Sequence, residues 1–194
     1  MLGTHSIKPT KKQLNMVKRV VRYLKGTKNL GIKYVTKGNK EPLSLIGYSD
    51  ADYAAATDRR SRSGILIFMN GGLIDWASNK QKSVSLSTCE SEYIAMANAA
   101  KKLYWLTQLL DEMKIPYETP ILRVDNQAAK NVAINDTSSK RTKHIDVRHH
   151  YIRGMVNNNK IKIEYVNADN MLSDIMTKVL KPKKNYLSYR EEEF

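Results

Sequence analysis

The chain has 194 residues, of which 41% are hydrophobic and 27% are charged, proportions typical of soluble globular proteins that exclude extensive disorder. At roughly 100 to 200 residues per domain, this length accommodates one domain with a full hydrophobic core plus appendages. No apolar run approaches the roughly 18 residues that a membrane span needs, and residues 1–5 do not begin a signal peptide. We therefore expect a soluble intracellular protein with no membrane partner.

The chain is strongly basic, with a formal net charge of +14 from 33 Lys and Arg against 19 Asp and Glu. Such a surface releases condensed counterions when it docks on phosphates, so a nucleic acid is the leading partner. A fragment of a larger complex and a basic protein that binds acidic surfaces weakly are the alternatives. Cys89 is the only cysteine, which excludes an intrachain disulfide and a multi-cysteine zinc site.

The N-terminal part is predicted to form a helix over residues 10–25, followed by the stop signal Gly26. Basic residues occupy one face of this helix, and apolar residues recur at helical spacing on the other. The apolar positions are Leu14, Val17, Val20, Val21 and Leu24. A short strand beginning at Leu30 and a turn-rich connection as far as Pro42 are predicted next.

Three strands are predicted after this connection. Residues 43–50 alternate between apolar and polar side chains, residues 63–70 form a continuous β-rich run, and residues 73–78 form a third strand. Gly71 and Gly72 are predicted to form the turn between the last two strands. Strands joined by such short connections predict an antiparallel meander.

The strongest predicted helix covers residues 87–113. Ser87 and Glu90 form a plausible capping box at its start, and Pro116 ends it. Apolar residues at steps of three and four predict one buried stripe: Met96, Ala99, Leu103, Leu106, Leu110 and Met113. Three aromatic residues are assigned to core packing rather than to base stacking: Trp76, Tyr104 and Trp105.

The second half of the chain alternates strands and helices. The predicted order is a strand at 121–125, a helix at 126–134, a polar loop, a helical stretch at 144–156, a strand at 161–166, a final helix at 167–180 and a tail at 181–194. The final helix is expected to bury Met171, Leu172, Ile175, Met176 and Val179. A meander combined with parallel strands and covered by helices gives an α/β or α+β layer architecture.

Four acidic residues coincide with these elements: Asp50 and Asp125 end strands, and Glu92 and Asp174 lie in helices. Strand ends at one edge of a sheet converge, so we expect these carboxylates to meet. Their mutual repulsion requires divalent cations, and ligation by oxygen alone selects Mg²⁺ or Mn²⁺ over zinc. Two such cations suit an in-line phosphodiester displacement. Taken singly, each acid has an ordinary interpretation as a turn residue, a favourable helix charge or a solvent-facing side chain.

Five blocks of sequence occur in a specific order: YSDADYAAATDRRSRSG (48–64), IDWASNKQKSVSLSTCESEYIAM (74–96), VDNQAA (124–129), KRTKHIDVRHHYIR (140–153) and VNADNMLSDIMTKVL (166–180). Together they resemble the ribonuclease H domain of copia-type retrotransposon Pol polyproteins. The resemblance implies a ribonuclease H-like α/β fold, with a five-stranded mixed sheet of a three-strand antiparallel meander plus two parallel strands, flanked by helices.

The same resemblance implies a division of the chain into three segments. Residues 18–34 resemble the segment that joins reverse transcriptase to its ribonuclease H. Residues 1–42 are therefore assigned to the reverse transcriptase connection, residues 43–180 to the ribonuclease H domain and residues 181–194 to a tail.

The resemblance also implies catalytic and metal-binding roles for the four acids. It implies that Asp50 and Asp125 bridge two metals, while the two helical acids each hold mainly one. The implied cofactors are two Mg²⁺ ions, for which Mn²⁺ can substitute. The implied activity is hydrolysis of the RNA strand of an RNA–DNA hybrid, leaving a 3′-hydroxyl and a 5′-phosphate. Asp52 is then a bystander, and Glu90 caps its helix.

Eight residues are candidates for contact with nucleic acid: Asn126, Gln127, Ser87, Thr88, Arg141, Lys143, His144 and Arg148. The two amides follow Asp125 directly and would read the minor groove and the ribose 2′-hydroxyl, a role in which the resemblance supports Gln127. The two hydroxyl residues would either touch the same strand or cap a helix. The four basic residues would either contact phosphates or form a solvated face.

The sequence departs from the family pattern in two respects. Many cellular ribonucleases H carry a histidine in the loop before the last acid, and residues 166–174 contain none. That role is vacant or is taken by His144, His149 or His150, and no spacing partner supports a zinc site at these histidines. The basic protruding helix of cellular relatives has no clear counterpart after Met113.

Two other functions stay open at this point. The domain would be a catalytically idle nucleic-acid-binding spacer of a reverse transcriptase, or it would perform the reaction of an integrase, transposase or resolvase on the same fold. The expected partners are an RNA–DNA hybrid and the reverse transcriptase domain of the same polyprotein, and homodimer formation is left open. The expected location is a cytoplasmic virus-like particle, with the nucleus as a second location.

Overall fold

A computed structural model describes residues 7–32, 34, 41–134 and 143–178, of which residues 143–147 and 149 are described by their backbone only. The chain divides into two compact units, Met1–Lys33 and Tyr34–Phe194.

The first unit contains helix α1, Lys11–Gly26, where the sequence predicts a helix. The Thr10 backbone N–H donates to Gln13 Oε1 at 2.6 Å, which satisfies one free donor at the start of the helix. None of the residues of α1 is buried, and Leu24 is 59% exposed. The strand predicted from Leu30 is wrong for residues 30–32, which follow a turn and pair with no strand.

The second unit is built on a mixed sheet, as predicted. Its strands are β1 (Leu45–Asp52), β2 (Arg62–Met69), β3 (Gly72–Lys80), β4 (Ile121–Val124) and β5 (Lys162–Tyr165), in the order β3-β2-β1-β4-β5. The β1/β2 and β2/β3 pairs are antiparallel, and the β1/β4 and β4/β5 pairs are parallel. Strand β1 is therefore central, with its antiparallel neighbours β2 and β3 on one side and the parallel strands β4 and β5 on the other.

Two details of the meander differ from the prediction. The turn between β2 and β3 consists of Asn70 and Gly71, both with positive φ, while Gly72 is already paired with Met69. This two-residue turn matches the twist of the flanking strands. Strand β1 also continues two residues beyond Asp50, because its ladder with β2 extends that far.

Helices cover one face of the sheet. They are α2 (Thr88–Glu112), α3 (Gln127–Ile134) and α4 (Lys143–Asn157), and α2 packs on β1 and β2. The predicted stripe of α2 is buried at Met96, Ala99, Leu103 and Leu110, and Leu106 is partly buried. Met113 follows the last turn of the helix and is 57% exposed, so its assignment to the core is wrong.

The other face of the sheet is covered by the C-terminal segment. Tyr48 and Leu66 are buried there against Met171. The single helix predicted for residues 167–180 is wrong, because the chain forms a 3₁₀ turn at Ala168–Asn170 and then helix α5 at Asp174–Thr177. The two pieces are separated by an extended backbone at Met171, which turns its side chain into the sheet.

Two predicted core aromatics lie at the surface. Trp76 is 57% exposed and Trp105 is 61% exposed, whereas Tyr104 packs partly buried against the core as predicted. Trp105 lies on the outer face of α2, since its neighbours at Lys101 and Gln108 are also exposed.

None of the helices in the described part of the chain combines the length and the apolar composition of a membrane-spanning segment.

Candidate metal centre

Asp50 is the most buried of the four predicted acids, with 1% of its surface exposed in the central strand β1. Its carboxylate accepts hydrogen bonds from the Thr177 hydroxyl and, at 3.2 Å, from Lys178 Nζ. Burial of a charged carboxylate at this depth costs free energy unless the group is paired or coordinated. The hydrogen bonds from Thr177 and Lys178 offset part of this cost.

Two further aspartates meet Asp50. Asp125 follows β4 directly, and β4 runs parallel to β1, so both side chains emerge at the same end of the sheet. Asp174 begins α5 and is 4% exposed. One carboxylate oxygen from each of these three aspartates lies within 4.8 Å of the others. The structure therefore brings together the two aspartates of the strand ends, as predicted, and the helical Asp174.

Gly64 allows α5 to approach closely enough for this meeting. It lies opposite Asp50 in β2, and a Cβ atom there would come within 2.8 Å of Thr177, Met176 and Ser173 atoms. The Ser78 hydroxyl also donates to the Met176 carbonyl at 2.6 Å, which ties α5 to β3.

Glu92 approaches the aspartates from the opposite layer. It is 6% exposed in the second turn of α2 and lies outside the group of three oxygens defined above. Burial, followed by the charges of Asp50 and Asp125, raises the pKa of Glu92 to about 9, while a hydrogen bond with the Ala51 backbone and the charge of Lys178 lower it. When no divalent cation is bound, this raised pKa favours the protonated form of the Glu92 carboxyl at neutral pH.

A buried glutamine fixes the start of α2. Gln81 Nε2 donates to Ser63 Oγ and to the Ser91 carbonyl, each at 2.9 Å, and its Oε1 accepts from Ser85 Oγ at 2.9 Å. These bonds join the end of β3 to β2 and to the residue before Glu92. The role of Gln81 could not be predicted from the sequence, because nothing local distinguishes this residue from a surface amide.

The remaining charges at the site oppose one another. Burial, and after it the charge of Asp50, raises the pKa of Asp125, and Lys178 lowers it. Burial lowers the pKa of the Lys178 ammonium, but its hydrogen bond with Asp174 and the charge of Asp50 raise it by more. Among the described residues, the three clustered aspartates and the nearby Glu92 offer carboxylate oxygens, the ligand type that suits hard divalent cations such as Mg²⁺ and Mn²⁺.

Thr177 and Lys178 were also missed from the sequence. They follow Asp174 by three and four residues, and Lys178 Nζ lies 2.7 Å from Asp174 Oδ1. The spacing of four residues between an acid and a lysine is a recognisable helical ion-pair signal. Contact with Asp50, in contrast, depends on the folding of α5 onto the sheet.

Two of the residues predicted to contact nucleic acid cap helices. Ser87 Oγ accepts the Glu90 N–H at 3.2 Å, while Glu90 accepts the Leu86 N–H at 2.7 Å, as expected for a capping role of both side chains. Asn126 Oδ1 accepts the Ala129 N–H at 2.9 Å and caps α3. Thr88 and Gln127 are exposed.

The predicted basic cluster falls largely outside the described side chains. Arg141 lies outside the described residues, and Lys143 and His144 are described only as the backbone at the start of α4. Arg148 is half-buried on that helix and His150 is exposed, while the side chain of His149 is not described. Their contact with nucleic acid stays a prediction.

The chain is similar in sequence to parts of transposon polyproteins. It is 38% identical over 173 residues to the retrovirus-related Pol polyprotein from transposon TNT 1-94 of Nicotiana tabacum, a match that covers 89% of this chain and 13% of the relative. It is 37% identical over 174 residues to the corresponding polyprotein from transposon RE1 of Arabidopsis thaliana, covering 89% and 12%. The chain thus spans about an eighth of the length of these curated relatives. No protein-family model matches it.

The fold is similar to that of solved RNase H structures. The N-terminal RNase H domain of rv2228c from Mycobacterium tuberculosis superposes with a TM-score of 0.52 at 8% identity, over 70% of this chain and 91% of that one. LC11-RNase H1, solved in complex with an RNA/DNA hybrid, superposes with a TM-score of 0.52 at 12% identity, over 69% and 93%. At these identities the likeness shows the fold.

Proposed function

Because the chain is homologous to one segment of the retrovirus-related Pol polyproteins of copia-type transposons and has the ribonuclease H fold, we propose that it is a divalent-metal-dependent endoribonuclease. Its substrate is the RNA strand of an RNA–DNA hybrid formed during reverse transcription of such an element. The observation that carries this proposal is the meeting of three aspartates from β1, β4 and α5 at one end of the sheet.

The four acids are the ligands in this proposal. Asp50 and Asp125 would each help to hold two Mg²⁺ or Mn²⁺ ions, and Glu92 and Asp174 would each hold mainly one. Bound divalent cations supply activation of the attacking water and stabilisation of the charge that develops on the leaving oxygen. Burial of Asp50 and Asp174 fixes their orientation before the substrate arrives, which lowers the reorganisation needed at the reacting phosphate.

Binding of the hybrid is assigned to the surface around these acids. The net charge of +14 favours a polyanion, and the exposed Gln127 lies two residues after the acid-bearing end of β4. Gln127 is the candidate for the ribose 2′-hydroxyl, and the basic residues Arg141, Lys143, His144 and Arg148 are candidates for phosphates. LC11-RNase H1, which has the same fold, was solved with an RNA/DNA hybrid.

The same proposal covers the domain boundaries, the partner and the location. We propose that residues 1–42 are the end of a reverse transcriptase connection, that residues 43–180 are the ribonuclease H domain, and that residues 181–194 are a tail. The reverse transcriptase domain of the same polyprotein is the partner, and a virus-like particle in the cytoplasm is the location.

Substitution of one bridging acid tests the activity. Asp50→Asn and Asp125→Asn remove a metal ligand with almost no change in volume, so each should lower Mg²⁺-dependent cleavage of a labelled hybrid by at least about a hundredfold, in the range by which single electrostatic groups contribute to catalysis. Circular dichroism verifies that each variant is folded. Asp52→Asn is the matched control, because Asp52 lies in the same strand outside the acid cluster, and it should retain parental activity. Full activity in Asp50→Asn or Asp125→Asn would end the proposal.

One observation favours a second candidate, a catalytically idle spacer domain. Lys178 neutralises part of the acid cluster from within the chain, through contacts with Asp50 and Asp174. A domain that needs no metal could keep such a cluster as a structural ion-pair network. Calorimetric titration with Mg²⁺ combined with the cleavage assay separates the two candidates, since an idle domain cleaves no hybrid whether or not it binds metal.

A further inference from the structure

Lys178 is the cation that the structure places among the acids. Its Nζ lies 3.2 Å from Asp50 Oδ1 and 2.7 Å from Asp174 Oδ1, so one ammonium group bridges two of the three clustered aspartates. Both carboxylates are almost fully buried, whereas the lysine side chain is 40% exposed and reaches the cluster from the solvent side. The Thr177 hydroxyl donates to the other oxygen of Asp50, Oδ2.

We propose that Lys178 is a built-in competitor of the divalent cation: it holds Asp50 and Asp174 together in the metal-free protein and must leave them before these oxygens can ligate a metal ion. The inference rests on the metal site of the proposed function. It adds a residue that sets the concentration of divalent cation at which the site fills.

Competition follows from the chemistry of the contacts. An ammonium group only donates hydrogen bonds, and here it donates to one oxygen of Asp50 and to one oxygen of Asp174. The ammonium therefore occupies the position from which a metal ion would approach these two oxygens. A divalent ion between Asp50 and Asp174 would also repel the ammonium at close range, in a site with a lower dielectric constant than water. The two cations therefore exclude each other from the bridging position.

The surrounding structure allows the lysine to withdraw. Lys178 is the first residue after α5 and has an extended backbone, so its side chain is not held in a helical groove. Its backbone N–H donates to the Asp174 carbonyl at 2.8 Å, which anchors the main chain while the long side chain can turn to solvent. Thr177 keeps its hydrogen bond to the opposite oxygen of Asp50 and can continue to orient this carboxylate.

The test measures metal affinity directly. Lys178→Met keeps the length of the side chain and removes the charge, so isothermal titration with Mg²⁺ and with Mn²⁺ should show a Kd about tenfold lower than for the parent chain. In EDTA the same variant should melt at a lower temperature than the parent, because the acids lose their only bridging cation among the described residues. Lys178→Arg keeps the charge and should retain a Kd close to that of the parent.

Controls separate competition from a general structural role. Lys102→Met removes a lysine that pairs with Asp75 away from the acids, and it should leave the metal Kd unchanged. Lys178→Gln is a second variant that can still donate a hydrogen bond to Asp174, and it too should bind metal more tightly, which covers the case in which Lys178→Met does not fold. If Lys178 had a purely structural role, its replacement would disorder the carboxylate ligands and would raise the Kd for the metal ion.

An unchanged or higher Kd in a folded Lys178→Met or Lys178→Gln variant overturns the inference. If the parent chain binds metal and cleaves a hybrid while this result is obtained, the competitor role fails and the proposed function stands. If the parent chain gives no binding heat with either metal at millimolar concentration, the metal site itself fails, and both proposals are overturned together.

Discussion

Among the four candidate metal ligands, three carboxyl groups are buried and that of Asp125 is half-buried, so each needs a stabilising partner or a proton when no divalent cation is bound. Glu92 retains its proton, because burial and the neighbouring charges of Asp50 and Asp125 raise its pKa to about 9. Asp50 accepts hydrogen bonds from Thr177 and Lys178. Each response lowers the free-energy cost of burying an acidic group.

The proton on Glu92 makes stability depend on pH in a defined direction. The pKa of this carboxyl rises from 4.5, the ordinary value for glutamate, to about 9 on folding, so between these values the folded chain holds a proton that the unfolded chain releases. The free energy of unfolding therefore falls as pH rises through this window. In EDTA, the melting temperature should decrease from pH 5 to pH 9, and Glu92→Gln should remove a large part of this decrease.

Thermal melts of the parent, Glu92→Gln and Glu112→Gln at several pH values check this prediction. Glu112 is exposed at the end of the same helix, so its replacement should leave the parental slope of melting temperature against pH. A Glu92→Gln variant with the same slope as the parent would show that Glu92 is ionised in the folded chain at neutral pH.

At the scale of elements, the position of α5 decides whether a site exists. This helix has only four residues and carries one acid of the cluster, while Thr177 at its end and Lys178 after it contact Asp50. Such a short helix has little stability of its own and depends on tertiary contacts. Gly64 in β2 and the hydrogen bond from Ser78 to the Met176 carbonyl provide them.

Gly64→Ala tests whether the close packing of α5 against β2 is required for stability and for metal binding. The new Cβ would lie within 2.8 Å of atoms of Thr177, Met176 and Ser173, one of which is a backbone oxygen, so α5 must shift away from the sheet. We expect a loss of about 1–3 kcal/mol in the free energy of unfolding, as for other overpacked positions, together with weaker metal binding. Denaturant unfolding and titration calorimetry measure the two effects.

Gly154→Ala is the matched control for this substitution. Gly154 lies in α4, and among the described residues no atom outside its own stretch of helix lies within 4 Å of an added Cβ. Alanine there should therefore be neutral or stabilising by up to about 1 kcal/mol, with unchanged metal binding. If Gly64→Ala is as stable as the parent and binds metal equally well, the close approach of α5 is not required.

The elements also show what the sequence could predict. The meander, the long helix and the parallel pair were predicted because hydrophobic periodicity over eight or more residues, or a strand followed directly by a helix, is a local signal. The final helix was not predicted correctly, since the extended backbone at Met171 is chosen by burial against Tyr48 and Leu66. The surface position of Trp76 was missed for the same reason, because coverage of a sheet face is decided by tertiary packing.

The same division applies to the candidate site. Asp50 and Asp125 were predicted to meet because parallel strands bring their ends to one edge of a sheet, a rule that needs only the order of the elements. Gln81 and the contact of Lys178 with Asp50 could not be predicted, because they join residues that are close only after folding. Nucleic-acid contacts of Arg141 and its neighbours depend on a substrate and stay predictions.

At the scale of the whole molecule, a cluster of acids is embedded in a chain with a net charge of +14. The long-range field attracts a polyanion, whereas the local site repels a phosphate unless cations are bound. In the proposed function, this combination would couple hybrid binding to metal binding. The polyprotein relatives are about eight times as long as this chain, which leaves room in them for the reverse transcriptase partner that we propose.

The most direct test of the central claim is cleavage of a hybrid whose RNA strand is labelled, with Mg²⁺ and with EDTA. The account predicts RNA fragments with 5′-phosphate and 3′-hydroxyl ends in Mg²⁺, no fragments in EDTA, and an intact DNA strand in both. Equal cleavage in EDTA and Mg²⁺, or no cleavage by a chain that calorimetry shows to bind Mg²⁺, would contradict it.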